Sequence, residues 1–205
     1  VQGPWKGGAE LDTIVENALV ESLVTTEAFV RDNVPRIVLI AERIAGAFLR
    51  DGKLLICGNG GSAADAQHMA AEFVNRFELE RPPLPAMALT TDTSVITSIG
   101  NDYSFDDIFS KQVKALGMKG DVLLCISTSG NSKNLISAVE AANSEGLYTV
   151  GLLGKGGGDL AEFVDMALIV RSHVTARIQE AHILTEHIIC RLVDHIIFQK
   201  HLRSE

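Results

Sequence analysis

The chain has 205 residues, 46 % hydrophobic and 21 % charged, enough apolar material for one full globular core. Its formal net charge of −8 argues against general affinity for nucleic acid or an anionic membrane, although a local basic patch stays compatible with it. No apolar run has membrane-span length and no signal peptide is recognisable, and Cys57, Cys125 and Cys190 lack metal-binding spacing, so they read as reduced core residues of a cytoplasmic protein.

Residues 1–8 are Gly-rich and off-pattern, and read as a disordered or foreign tail. Residues 9–50 read as N-terminal helices for packing and assembly, with apolar spacing over 10–30 and again over 37–48. Pro35 suits the first turn of the second helix. From residue 51 to 205 the texture changes to strand, loop, helix, repeated as one domain. Strands are expected at 54–57, 86–89, 122–126, 148–153 and 166–170. Helices are expected at 62–76 with Ser62 as N-cap, at 92–99 capped by Asp92, at 105–116, at 131–144 closed by Gly146, at 160–163 and at 177–199. Residues 100–102 read as a turn. Short, continuous apolar strands alternating with helices imply a three-layer α-β-α sandwich around a five-stranded parallel sheet.

Two loops of similar design follow the first and third strands. One is Cys57-Gly58-Asn59-Gly60-Gly61-Ser62; the other is Ile126-Ser127-Thr128-Ser129-Gly130-Asn131-Ser132. Each ends a buried strand in small and hydroxyl residues at a helix start. There, free backbone N–H groups and the helix dipole favour an anion, and glycine lets a phosphate approach closely. Together they suggest a phosphorylated ligand beyond the carboxyl ends of the strands. Gly58-x-Gly60-x-x-Ala63 is only a loose dinucleotide fingerprint, without the acidic ribose partner at the end of the second strand. The run Lys155-Gly156-Gly157-Gly158-Asp159 lacks the Gly-Lys-Ser/Thr ending of a P-loop and reads as a flexible turn.

His68 and Glu72 stand at i and i+4 on the helix after the first loop, a spacing that suits a metal or a proton-transfer pair. Most such pairs are surface ion pairs. The last helix carries Gln179, His182, His187 and His195 amid apolar residues that cover most of its circumference, which implies burial, with His182 and His195 structural by default. Gln179 and His187 are separated by a rise of about 12 Å at helical pitch. They share an ion only if the helix starts near Gln179 or if one of them comes from a neighbouring chain. Asn101 and Asp102 suit sugar hydroxyls or a plain turn equally.

These segments, with Asn75-Arg76-Phe77, Glu80-Arg81-Pro82 and Thr175-Ala176-Arg177-Ile178-Gln179-Glu180, resemble the phosphoheptose isomerases, which are sugar isomerase (SIS) domain proteins. The resemblance covers nearly the whole chain after the tail. It implies the SIS fold, and a ketose–aldose isomerase converting sedoheptulose 7-phosphate to glycero-manno-heptose 7-phosphate, an early step toward lipopolysaccharide heptose. It also implies a cytoplasmic homotetramer with sites at subunit interfaces and one zinc per site. By resemblance, Asn59, Gly60, Gly61 and Ser62 form the substrate loop, and Ser127, Thr128, Ser129 and Ser132 the phosphate cradle. Asn101 and Asp102 contact the sugar. His68, Glu72, Gln179 and His187 hold zinc, Glu72 and Gln179 also facing substrate, and Glu72 and His187 are the acid/base pair. Some members carry Asp where Ala176 stands; others carry Ala. A carboxylate bound tightly to zinc is a poorer base, so either ligation loosens in turnover or the metal is structural. A sister subfamily, non-catalytic partners of a replication initiator, replaces the Glu72 and His187 equivalents, and this chain keeps both.

Overall fold

The computed structural model describes residues 8–199. Five parallel strands, β1 (Leu54–Gly58), β2 (Ala86–Ala88), β3 (Val122–Ser127), β4 (Tyr148–Gly154) and β5 (Met166–Val170), lie in the order β2-β1-β3-β4-β5. β1 and β3 are neighbours whose outgoing helices pass to opposite faces. Their carboxyl ends therefore flank the crevice where ligands of such sheets bind.

One face is covered by α1 (Gly8–Phe48), α2 (Gly61–Val74) and α7 (Thr175–Asp194), packed on Leu54, Ile56, Leu124, Ile126 and Leu152. The other is covered by α4 (Ser110–Leu116) and α5 (Lys133–Glu145) on Leu55, Cys57, Leu123 and Cys125, with α3 (Thr93–Asp102) at its margin and α6 (Leu160–Phe163) below β4. Alternate residues of β1 and β3 thus feed two separate cores, as strand periodicity requires. All three cysteines are free and buried, and Cys57 and Cys125 sit side by side with sulfurs 3.4 Å apart.

The expected strand and helix order holds, with local differences. The expected tail lies outside the described residues except for Gly8, which begins α1. The expected break at Pro35 is absent: α1 is one helix of 41 residues. Proline removes one backbone donor, but Phe29, Asn33, Ile37, Ile40, Ala41 and Ile44 continue a single buried stripe across it. Burial of that stripe against α7 offsets the lost bond. Ser62 is not the cap of α2. Gly60 holds the cap position, at φ 58 and ψ −122, a conformation open only to glycine. Asn101 and Asp102 end α3 rather than forming a separate turn, and Asp92 caps α3 through the Val95 N–H as expected. The helix expected over 105–116 splits into a 3₁₀ turn, Phe105–Asp107, and α4. α7 begins at Thr175 and closes in a π-helical turn, His195–Gln199.

Candidate active site

The first loop is held open by its neighbours. The Asn59 and Asn134 side-chain amides exchange two hydrogen bonds, of 3.0 and 2.9 Å, tying the loop to the first turn of α5. Asn134 is buried and has no counterpart in the sequence-based site; only its place two residues after Ser132 hinted at a role. A Cβ on Gly61 would stand 2.2 Å from the Gln179 amide nitrogen, so Gln179 lies directly over the loop.

The second loop is braced by hydroxyls. The Gly130 N–H donates to Ser127 Oγ (3.0 Å) and the Asn131 N–H to Ser129 Oγ (3.2 Å). Each hydroxyl spends its oxygen on the loop and keeps its own proton for a ligand. Ser132, at the N-cap of the 13-residue α5, makes no cap bond. Its hydroxyl and the unpaired N–H groups of the first turn are a ready anion cradle. The 155–158 segment, read above as flexible, is packed against this cradle. A Cβ on Gly130 would meet Gly157 O at 1.8 Å, the Leu160 N–H donates to Gly130 O, and the Asp159 N–H to Asn131 Oδ1.

α2 and α7 run side by side away from the loops. Seven residues beyond Gly61, His68 Nε2 lies 2.8 Å from His187 Nε2 and 3.4 Å from Glu72 Oε1. Phe77 stacks on the His187 ring at 5.5 Å. His68, Glu72 and His187 therefore come together, while Gln179 stays at the loop end. α7 is continuous from Thr175, so the helix start does not bring Gln179 and His187 together; their separation along it is about 12 Å. Asn101 and Asp102 are exposed, and the Asn101 amide donates to Asp102 Oδ1 (2.8 Å). Ser62 is buried, whereas Asn59, Thr128, Ser129 and Ser132 are only partly so.

No group of three His, Cys, Asp or Glu donors closes on a single metal position among the described residues. The donor chemistry nevertheless suits zinc. Two imidazoles face each other through Nε2, with a carboxylate beside them, and the 2.8 Å gap needs only slight opening to admit an ion with Zn–N bonds near 2.0–2.1 Å.

Behind this cluster lies a layer that sequence reasoning missed. Arg81 pairs with Asp194 at 2.8 Å, both side chains buried, and donates to the Phe73 and Glu72 carbonyls. It thereby clamps the end of α2 to α7 across 113 positions of sequence. Burial raises the Asp194 carboxyl, with Arg81 opposing. Glu186 is fully buried with both oxygens unpartnered. Burial, reinforced by Asp65, raises its carboxyl well above the usual range. Burial also raises Asp65, against the pull of His68. His182, structural as expected, bonds through Nε2 to the Leu153 carbonyl (3.0 Å), and burial lowers it to about 4. The signal for Glu186 was its i+4 spacing from His182 and i−4 spacing from Cys190 on a helix whose apolar residues cover most of its circumference.

The SIS domain model matches residues 20–154, well over half of the chain. A phosphoheptose isomerase of Nitratidesulfovibrio vulgaris is 55 % identical, the alignment covering 91 % of this chain and 89 % of that protein. Another, of Roseiflexus sp., is 56 % identical over 81 % of this chain and 84 % of its own. The solved phosphoheptose isomerase of Neisseria gonorrhoeae superposes with a TM-score of 0.85 at 48 % identity, covering 90 % of this chain and 98 % of that one.

Proposed function

Because the chain belongs to the phosphoheptose isomerase family, we propose that it interconverts sedoheptulose 7-phosphate and glycero-manno-heptose 7-phosphate through an enediol, in heptose precursor synthesis. The observation that carries this reading is the α2–α7 arrangement. α2 starts at the first anion-ready loop, Gln179 of α7 lies over that loop, and farther along the two helices bring His68, Glu72 and His187 together. A phosphate held by Ser127, Thr128, Ser129 and Ser132 leaves the carbonyl end of an extended sugar free to reach that cluster. Asn59, Gly60, Gly61, Ser62, Asn101 and Asp102 are the further substrate contacts.

Aldose–ketose isomerisation removes a proton from one carbon and returns it to the next. Glu72 is the proton carrier, and His187, held by Phe77, donates to the developing enediolate oxygen. His68, Glu72, Gln179 and His187 are the ligand set for one zinc. Since Gln179 and His187 of one chain lie too far apart along α7, the set is completed by a neighbouring subunit. When bound, zinc supplies Lewis-acid polarisation of a sugar oxygen.

A homotetramer with sites at subunit interfaces fits the exposed apolar side chains of the first half of α1, which include Leu11, Ile14, Val15, Leu19, Val20 and Leu23. Three free cysteines are in keeping with a reducing, cytoplasmic setting. Among the described residues no helix is long and apolar enough to cross a membrane. The test is turnover of sedoheptulose 7-phosphate with and without chelator. Turnover that chelator abolishes and zinc restores supports the whole reading; chelator-resistant turnover removes the metal; no turnover overturns the assignment.

A further inference from the structure

Between α2 and β2 the chain passes α7 without regular structure, and among the described residues none of 76–83 takes part in a backbone–backbone hydrogen bond. Side chains tie this segment to α7 on three rungs. The Phe77 ring stacks on His187, with centroids 5.5 Å apart and planes 21° apart. Arg191 Nε donates to Glu78 Oε2 at 3.0 Å, and Arg191 Nη2 donates to Glu78 Oε1. Arg81 Nε donates to Asp194 Oδ1. His187, Arg191 and Asp194 stand at i, i+4 and i+7, so the rungs climb one stripe of α7. The Arg81 rung is buried, whereas the Arg191 and Glu78 side chains are 67 % and 50 % exposed. Their contact is nevertheless a two-bond fork, which fixes direction as well as distance, and it holds the Glu78 carboxyl below its ordinary range. Glu78 directly follows Phe77, so the fork fixes the backbone from which the ring projects.

We propose that Arg191 and Glu78 are positioning residues for His187: their ion pair keeps Phe77 against the imidazole and so sets the plane in which its Nε2 faces His68. The inference rests on the isomerase reading, in which His187 donates to the enediolate oxygen. An imidazole held in one orientation meets that oxygen in more encounters than one that turns freely. Exposed ion pairs are weak and salt screens them, so the effect is a small one that salt should remove.

Two measurements on the whole protein test this. In the first, NMR of protein carrying 13C-labelled histidine follows the His187 Cε1–H signal, identified by its loss in His187→Gln and displaced by the ring current of Phe77. Arg191→Met and Glu78→Gln should each move that signal toward its position in Phe77→Leu. A signal that stays at its wild-type position in both variants overturns the inference. In the second, at saturating sedoheptulose 7-phosphate, each of the two variants should lower kcat about threefold with KM unchanged. Wild type in about 1 M NaCl should show the same fall, with no further fall in the variants. In a Phe77→Leu background Arg191→Met should lower kcat no further; a full additional threefold loss would show that Arg191 does not act through Phe77. A wild type that turns over no sedoheptulose 7-phosphate overturns the isomerase reading instead, and the NMR signal then decides the positioning of His187 by itself.

Discussion

Glu72 and His182 show how placement divides ionisable side chains between chemistry and structure. Glu72 stands at the rim of the α2–α7 contact, beside His68 and open enough to meet a substrate. Glu72→Gln keeps the shape and removes the proposed proton acceptor, so on that proposal kcat should fall by about 10³-fold with the oligomeric state unchanged. Near-normal kcat in a steady-state assay would take Glu72 out of the mechanism. His182 is sealed in the core, and its folded value of about 4 lies below the ordinary 6.5. The native state therefore holds it neutral while the unfolded chain takes up a proton below 6.5. Its contribution is fully present above pH 6.5 and is lost as pH falls toward 4, in total about 3 kcal/mol at 1.36 kcal/mol per unit. Glu186 runs the other way: its raised carboxyl makes stability fall as pH rises above its ordinary 4.5. Urea unfolding of wild type against His182→Gln, which keeps a donor for Leu153 O, cancels the Glu186 share. The wild type should lose more stability than the variant between pH 6.5 and 4; parallel profiles would show that His182 is not protected.

At the scale of elements, the decisive contact is α2 against α7, and Arg81 fixes it. Its guanidinium pairs with Asp194 of α7 and caps carbonyls at the end of α2, including that of Glu72 itself. Removing one partner of a buried pair strands the other charge, so Arg81→Ala should cost about 3–5 kcal/mol in chemical unfolding. The double change Arg81→Met with Asp194→Leu leaves no stranded charge and should recover much of that stability. It should still lower activity, because the α2 carbonyls lose their clamp. A double variant as unstable as the single one would contradict the ion-pair account.

For the whole molecule, α1 divides in two. From Phe29 onward one face of it is buried on the domain, whereas earlier its large apolar side chains stand exposed. If the proposed tetramer assembles through this face, wild type should scatter light as a tetramer and Leu19→Glu, at an exposed position, should leave the fold of one chain intact and lower that mass. On the proposal that a neighbouring subunit completes the metal set, turnover should fall with it. A variant that stays tetrameric would move the assembly surface elsewhere.

By itself the sequence determined the alternation of strands and helices, hence the parallel sheet, because burial on both faces leaves continuous apolar strands with helical periodicity between them. It also determined the chemistry of the two loops and the His68/Glu72 spacing, since glycines, hydroxyls and i,i+4 neighbours act within a few residues of one another. Only the tertiary structure decided that α1 runs unbroken through Pro35, where a buried stripe outweighs one missing hydrogen bond. It alone brought His187 to His68 across 119 positions, set Gln179 over Gly61, and joined Arg81 to Asp194. Those contacts depend on how whole helices dock on a shared sheet. Local periodicity records which face of a helix is buried, not which partner residue it meets there.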